Sequence, residues 1–395
     1  MLKNPFVIYI LSFGGVLAVY QLGWSDAYPA MSSDLLAFFG LTFLVSVLLA
    51  FAVSGVVRET GSYQPGRLPN YTVLLVLAGC AADLIYTGGI PLLLVIAGKF
   101  DYAGEDLGVP HLHVFTVTFG SAFSTIRFAD YLYSKRLRYL AEALLPIVYF
   151  ILIFYRGPVM ICMVAWAFVI FVKRGRLGLL RGSLIVAFAL LILHLFGVFG
   201  NLREGDESAI EKVGRPSQAF QESWIPKTYL WAYVYMTSPL ANLQTAVDAK
   251  SLERRTLTEF AVSEMLPDFI SKRILPSLGA ERVKTPEVSR GLTVATMFGR
   301  SYVYAGWTGP ILLFTLFASL IVVYLQLIRR SAYRVPCLAQ LNMFIVFCTF
   351  QNMIAFSGLI LQLVWPLFLP ARQPEAPSER VGGTAAFSRL QESRH

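Results

Sequence analysis

The fold is decided by apolar stretches such as residues 35–57, which read LLAFFGLTFLVSVLLAFAVSGVV. This stretch contains no charged side chain, and a helix of about 20 mostly apolar residues is enough to cross the hydrocarbon core of a bilayer. An α-helix satisfies its backbone hydrogen bonds internally, so it is the form that such a stretch adopts in lipid. The stretch therefore predicts a transmembrane helix.

The whole composition agrees with this interpretation. Of the 395 residues, 56% are hydrophobic and 14% are charged, whereas soluble domains are about 45–50% apolar and about 25% charged. This excludes a disordered or nucleic-acid-binding soluble protein. We predict an all-α polytopic membrane protein with about ten transmembrane helices, the first being an uncleaved anchor. The predicted spans are 5–22, 35–57, 71–98, 111–127, 139–155, 158–172, 180–200, 309–328, 337–353 and 355–371.

Positive charge predicts the orientation of these spans. One alternating set of short loops is basic and contains Arg67, Arg127 and Arg136, whereas the other set contains only Lys99 and Arg156. Because Lys and Arg accumulate in cytoplasmic loops, both termini are predicted to be cytoplasmic. The net charge of +9 is then an orientation signal and not an affinity for an acidic partner.

One long hydrophilic stretch, residues 201–291, interrupts the spans and is predicted to lie outside the cytoplasm. Its aromatic residues at 224–236 predict a helix at the membrane interface, and residues 250–275 predict an amphipathic helix. The predicted organisation is spans one to seven in 1–200, the large loop in 201–291, a re-entrant or interfacial segment with spans eight to ten in 292–371, and a disordered tail in 372–395.

The sequence contains no P-loop, GxGxxG, GxSxG or HExxH motif. The four cysteines lack metal-ligand spacing, so we interpret them as small buried hydrophobic residues and predict neither a metal nor a cofactor. The deepest ionisable residue of the spans is Asp83, which precedes the helix-breaking residues 88–91. It is interpreted either as a proton or ion site or, by preference, as a structural carboxylate capped by polar neighbours.

Arginines stand where apolar stretches meet the predicted outer side. Arg156 follows an apolar run and has no acidic neighbour in sequence. Its guanidinium matches phosphate oxygens in a bidentate way, so we predict a phosphate clamp, and the alternative is an arginine that snorkels to the interface. Arg290 and Arg300 flank a stretch that predicts a half-helix lining a cavity, or alternatively a plain interfacial helix.

Three short motifs and their order along the chain point to a family. Tyr155-Arg156-Gly157 stands at the outer end of a mid-chain span, and residues 235–243 form an aromatic-x-x-x-Pro-Leu-x-x-Leu stretch inside the large loop. Residues 302–309 form a Tyr-x-x-x-Gly-x-x-Gly entry to the next span. With one large outer loop late in the chain, the sequence resembles the Wzy-type O-antigen and oligosaccharide repeat-unit polymerases of bacterial inner membranes.

The resemblance implies a fold similar to that of the C-type membrane glycosyltransferases, with an active site on the periplasmic side. The implied donor is an undecaprenyl-pyrophosphate-linked glycan, and the implied acceptor is a second lipid-linked repeat unit. A sugar hydroxyl attacks the anomeric carbon and undecaprenyl pyrophosphate leaves, with no metal or cofactor. The bilayer and a chain-length regulator protein are the other implied partners, and nucleic acid is not one.

The site residues follow from this chemistry. Cationic groups stabilise the leaving pyrophosphate, and an imidazole can take the proton of the acceptor hydroxyl near neutral pH. The predicted catalytic residues are Arg156, Arg290, Tyr235, His111 and His113. The predicted substrate-binding residues are Arg203, Lys227, Arg300, Tyr302, Tyr304 and Trp231. The carboxylates that could replace histidine as the base are Glu204, Asp206, Glu207 and Glu211.

Three other functions stay open at this point. An O-antigen ligase uses the same donor but transfers finished polymer to the lipid A core. A transporter or flippase of lipid-linked sugars would have polar residues spread through its spans and internal repeats. A non-enzymatic membrane assembly subunit would not require an unpaired arginine at the outer boundary.

Overall fold

The computed structural model describes residues 3–58, 63–97, 108–174, 208–253 and 255–371, together with scattered residues between 183 and 201. Regular structure in these residues is helical, and extended pairing is limited to the isolated bridges Ser25–Pro216 and Thr296–Gln351. The helices are α1 (Pro5–Tyr20), α2 (Ser33–Ala52), α3 (Ser54–Arg58), α4 (Tyr71–Tyr86), α5 (Pro91–Ile96), α6 (Leu112–Ser134), α7 (Leu137–Leu152), α8 (Arg156–Arg174), α9 (Ala209–Gly214), α10 (Gln218–Gln221), α11 (Tyr229–Asp248), α12 (Leu257–Phe260), α13 (Asp268–Ser277), α14 (Gly299–Ala305), α15 (Thr308–Ile328), α16 (Arg334–Phe347) and α17 (Ser357–Phe368).

Helices long and apolar enough to cross a membrane number four in the described part of the chain. They are Ser33–Ala52, Arg156–Arg174, Thr308–Ile328 and the stretch Tyr71–Leu94, which takes in α4 and most of α5, and all four fall on predicted spans. The shorter apolar helices α1, α16 and α17 also fall on predicted spans. The all-helical, membrane-type fold is therefore confirmed, whereas the count of ten crossings stays a prediction.

Two predicted breaks in the apolar stretches are present. The first is at Gly88 and Gly89, which have φ of +76° and +157° and separate α4 from α5. The second lies between α16 and α17, where Gln351 and Asn352 interrupt the apolar run. A polar residue inside an apolar run needs a partner, and Asn352 donates from Nδ2 to the carbonyl oxygen of Glu264 at 2.8 Å.

Arg127 is placed differently from the prediction. We expected a loop residue at the end of a span, but α6 continues to Ser134 and the Arg127 side chain is 1% exposed. Its Nη1 donates to Asp130 Oδ2 at 3.1 Å, and its Nε lies 2.8 Å from Glu142 Oε2 on α7. Because these carboxylates neutralise its charge inside the protein, Arg127 is not a solvated orientation signal.

The predicted interfacial and amphipathic helices of the large loop also take different forms. Helix α11 begins at Tyr229, continues to Asp248 and is mostly buried. Its Tyr233 ring packs 5.3 Å from Trp24, so this aromatic side chain faces protein and not lipid headgroups. The stretch 250–275 is divided into α12, a π-helical segment (Ala261–Met265) and α13, because Pro267 is extended at ψ 145°.

The main core extends across most of the long helices, and its aromatic part lies where α1, α2 and α14 meet. Phe298 precedes α14, and its ring centroid is 4.9 Å from that of Phe38 and 5.6 Å from that of Phe13. Helix α14 is the short helix expected in this region, and it begins one residue after Phe298. Gly309 permits its close contact with α15, because a Cβ there would lie 1.9 Å from the Ser301 carbonyl oxygen. The four cysteines are free and buried or partly buried, as predicted.

Candidate functional site

Asp83 is the centre of a hydrogen-bonded cluster between three helices. It lies in the last turn of α4 and is 1% exposed. His113, in the first turn of α6, brings Nδ1 to 2.9 Å from Asp83 Oδ2. Tyr149 of α7 donates its hydroxyl to the same oxygen at 2.7 Å. A buried carboxylate requires such partners, and its predicted capping by polar groups is confirmed.

The main chain before α6 completes this cluster. The Val109 N–H donates to Asp83 Oδ1 at 3.0 Å, and the Gly108 N–H donates to Thr87 Oγ1 at 3.1 Å. Gly108 has φ of +69°, and a Cβ there would lie 2.6 Å from Asp83 Oδ1 and 2.7 Å from His113 Nδ1. Glycine alone fits both the backbone angle and the available space.

His113 has one ring nitrogen with no partner among the described residues. Its Nδ1 faces Asp83, which favours the tautomer that carries the proton on Nδ1 and leaves Nε2 able to accept one. No hydrogen bond to Nε2 occurs among the described residues, and 17% of the side chain is exposed. The ring is inclined by 24° to that of Tyr155, with centroids 6.1 Å apart. This arrangement suits a general base.

Arg156 directly follows Tyr155 and begins α8. Its side chain is exposed, and no carboxylate of the described residues is within ion-pair distance of it. The predicted base His113 and the predicted clamp Arg156 therefore lie in one region, because the ring beside His113 belongs to Tyr155, the residue before Arg156. The prediction that Arg156 binds phosphate remains a prediction.

The two predicted histidines have separate surroundings. His111 has φ of +67° immediately before α6, and Arg273 of α13 donates from Nη2 to its Nε2 at 3.1 Å. His111 thus contacts a cation, whereas His113 contacts a carboxylate. The sequence did not indicate Arg273, because it lies 162 residues from its partner.

The remaining predicted cations differ in their contacts. Arg290 is exposed, and it forms no ion pair with the residues that the structure describes. Lys227 donates from Nζ to the Phe220 carbonyl oxygen at 2.9 Å and also contacts the ring of that residue, so local chain contacts use its donors. Arg203 lies outside the described residues, as do Glu204, Asp206 and Glu207, while Glu211 is exposed on α9.

The predicted aromatic site residues fall into two groups. Tyr235 is exposed on α11, and its ring lies 6.1 Å from that of Trp231, whose Nε1 donates to Asn201 Oδ1 at 2.6 Å. Tyr302 and Tyr304 are buried in the core. The Tyr304 hydroxyl accepts from the Val283 N–H at 3.4 Å. The structure therefore does not bring the tyrosines of α14 to the surface beside His113.

A second polar cluster surrounds the π-helical segment Ala261–Met265. Glu264 is fully buried, and its Oε2 accepts from Asn352 Nδ2 at 3.0 Å while Oε1 accepts from Ser263 Oγ at 2.9 Å. Arg300 brings Nε to 3.3 Å from Oε1. Arg282 donates from Nη2 to Ser271 Oγ on α13. Sequence reasoning selected Arg300 but missed Glu264 and Arg282.

No family model matches the chain, and no curated protein or solved structure is detectably similar to it. Among the described residues, no group of three or more His, Cys, Asp or Glu side chains could hold a metal ion. The chemistry of the site therefore has to be argued from the two polar clusters themselves.

Proposed function

We propose that this protein is a polymerase that joins undecaprenyl-pyrophosphate-linked oligosaccharide repeat units at the periplasmic face of the bacterial inner membrane. One observation carries the proposal: His113, held by Asp83, lies beside Tyr155, the neighbour of Arg156. A proton acceptor and a cation without an ion pair to the described carboxylates are thus available in one region. Glycosyl transfer from a pyrophosphate donor needs both groups.

The proposed reaction assigns one role to each group. The acceptor hydroxyl oxygen forms a bond to the anomeric carbon of the donor, and the bond from that carbon to the pyrophosphate oxygen breaks. His113 Nε2 takes the hydroxyl proton, while Asp83 stabilises the resulting imidazolium. Arg156 stabilises the negative charge that develops on the leaving pyrophosphate.

An apolar cavity supports a substrate that is attached to lipid. It has a volume of about 580 Å³ and lies between α2 and α15, lined by side chains that include Phe38, Leu41 and Phe314. The hydroxyls of Thr315 and Ser319 in its wall donate to carbonyl oxygens of their own helix, so they offer no free donor. Such a surface suits a hydrocarbon chain.

The proposed topology has ten spans, cytoplasmic termini and a periplasmic loop at residues 201–291. The apolar helices and the basic short loops support it. In this orientation the Asp83 cluster lies near the outer ends of α4 and α7, where a lipid-linked glycan is accessible. A chain-length regulator remains the proposed protein partner.

The test is reconstitution of the full chain with lipid-linked repeat units from the native pathway, followed by measurement of glycan length. Arg156→Ala should lower the rate of chain lengthening at least about 100-fold, since a preorganised charge contact in the transition state is lost. Arg58→Ala, an exposed arginine at the end of α3, serves as the matched control and should retain wild-type activity. Wild-type protein that never lengthens the glycan would sink the proposal.

A proton-coupled transporter of lipid-linked sugars is the second candidate function. The observation that favours it is Asp83 itself, because ionisable residues inside apolar helices often carry protons in transporters. Proteoliposomes separate the two functions: a transporter moves the lipid-linked substrate and protons without lengthening the glycan. A ligase is separated by the acceptor, since it transfers glycan to lipid A core in place of a second repeat unit.

A further inference from the structure

The cluster around Glu264 contains more positive charge than the described carboxylates neutralise. Arg300 makes one ion pair, to Glu264 at 3.3 Å, and none of its five N–H donors forms a hydrogen bond with the described residues. Arg282 forms one hydrogen bond, to Ser271, and its buried Nε has no partner there. Guanidinium groups remain charged at any accessible pH, so each of these N–H donors still requires a hydrogen-bond acceptor.

The carboxylates nearby are already engaged. Glu264 also accepts from Ser263 and Asn352, so both of its oxygens already have donors besides Arg300. Asp268 accepts from the Ser357 backbone N–H at 3.0 Å and lies 3.7 Å from Lys272. Neither carboxylate is within ion-pair distance of Arg282. Burial and the nearby charge of Arg300 lower the pKa of Arg282. The charges of Glu264 and Asp268 raise this pKa, but they offset the lowering only in part.

We propose that Arg282 and Arg300 form a binding site for a phosphate-class anion, separate from Arg156. A phosphate group would fill the unused donors of both guanidiniums, because paired arginines match its oxygens in a bidentate way. Arg300 provides the access, since 27% of its side chain is exposed. The π-helical segment turns the Glu264 carboxylate toward Arg300 and thereby orients it, in keeping with the frequent occurrence of π-helical turns at functional sites.

Helix α13 connects this site to His111, two residues before His113. Ser271 contacts Arg282, and Arg273, two residues later, contacts His111. An α-helix rises about 1.5 Å per residue, so the two contacts lie within one turn of α13. Two separate cationic sites suit two substrates that each bear a pyrophosphate.

This assignment rests on the proposed function where it names the ligand. The acceptor reacts through a hydroxyl of its glycan, so its own pyrophosphate lies away from the reacting carbon and needs separate cationic contacts. Arg282 and Arg300 would hold the acceptor's pyrophosphate, while Arg156 holds that of the donor.

The experiment measures binding of inorganic pyrophosphate to the purified full chain by calorimetry, in an Arg156→Gln background that removes the donor clamp. Arg282→Gln and Arg300→Gln should each weaken binding about tenfold or more, since charge-assisted hydrogen bonds are lost. Lys284→Gln, an exposed cation two residues from Arg282, should bind like its parent. If Arg282→Gln fails to fold, Arg282→Lys keeps the charge but loses the bidentate geometry, and it should also bind more weakly.

If the Arg282, Arg300 and Lys284 variants bind pyrophosphate equally well, the proposed anion site is wrong. Nanodiscs distinguish two sources of phosphate: competition by phosphatidylglycerol, but not by phosphatidylcholine, identifies an anionic lipid headgroup as the ligand and removes the acceptor assignment. The outcome is independent of the polymerase assay. If the wild-type protein lengthens the glycan but the variants bind pyrophosphate normally, only this site is contradicted. If the variants bind pyrophosphate more weakly but the wild-type protein never lengthens the glycan, only the proposed function is contradicted.

Discussion

Helix α6 carries a polar cluster near each of its ends, and the two clusters differ in what they leave unsatisfied. Near the carboxyl end, Arg127 lies between Asp130 and Glu142, and its guanidinium also lies over the Tyr139 ring at 5.3 Å. Asp130 Oδ1 accepts from the Tyr63 hydroxyl at 2.8 Å. At the amino end, His113 has Asp83 on one ring nitrogen and no described partner on the other.

The two clusters differ in whether their ionisable groups are paired within the protein or can still take part in a reaction. Both clusters are buried and both contain carboxylates, so burial and residue type do not tell them apart. The cluster near the carboxyl end, called the inner cluster, consists of Arg127, Asp130, Glu142 and Tyr63. It pairs its charges within the protein and ties residues 63–68 to α6 and, through Glu142, to α7. The cluster near the amino end, called the outer cluster, consists of Asp83, His113 and Tyr149. It holds the His113 ring in place and leaves Nε2 available to another molecule. A group that can still accept a proton is what makes a polar cluster a candidate for chemistry.

The largest expected effect is on activity at the outer cluster. His113→Ala should lower the rate of glycan lengthening about 100- to 10,000-fold, the range for loss of a general base. His111→Ala should cost far less, because its Nε2 already accepts from Arg273. Initial rates with saturating lipid-linked donor measure both. An equal loss in the two variants would contradict the distinction between the histidines.

The next effect is on stability at the inner cluster. Arg127→Met should lower the free energy of unfolding by about 3–5 kcal/mol, since it leaves Asp130 buried without its cation and leaves Glu142 only the exposed Arg138. Denaturant titration in detergent, followed by tryptophan fluorescence, measures the change. Arg136→Met changes an exposed arginine two residues after α6 ends and should leave the midpoint unchanged. A stable Arg127→Met protein would show that the inner cluster is not closed by this residue.

A glycine pair tests the shape of the outer cluster. Gly108 and Gly88 both have positive φ, at +69° and +76°, but a Cβ meets Asp83 and His113 only at position 108. Both alanine variants carry backbone strain, and Gly108→Ala should lose about 1–3 kcal/mol more than Gly88→Ala because of the clash. Unfolding midpoints give this difference. Equal losses would mean that Asp83 can move aside without cost.

The smallest effect is expected for Arg138, the outermost member of the inner cluster. Its Nε lies 2.6 Å from Glu142 Oε1, but its side chain is 62% exposed, so water replaces the contact when it is removed. Arg138→Ala should leave the unfolding midpoint unchanged within experimental error. A clear loss of stability would show that Glu142 depends on both arginines and that the inner cluster extends to the surface.

Much of the fold could be predicted from local sequence. The apolar stretches that the structure describes became helices, while only scattered residues of the predicted span 180–200 are described. The breaks at residues 88–91 and near Asn352 lie where glycine, proline or polar residues interrupt the helices. The site could be predicted only in part. His113 and Arg156 were selected by residue type and position, whereas Glu264 and Arg282 have no local signal. Helix α11 was expected at the membrane interface, which stays a prediction, but its Tyr233 packs against Trp24 in the loop before α2.

The sequence by itself determined that this is a helical, membrane-type protein, because hydropathy and helix breaking depend on residues close together along the chain. Only the tertiary structure decided which ionisable groups are satisfied. Asp83 and His113 are 30 residues apart, and Glu264 and Asn352 are 88 apart. Helix packing brings such pairs together, and a pairing across helices leaves no periodic mark in the sequence. The same packing separates Arg127, which has two buried carboxylates within ion-pair distance, from His113, whose Nε2 has no partner among the described residues.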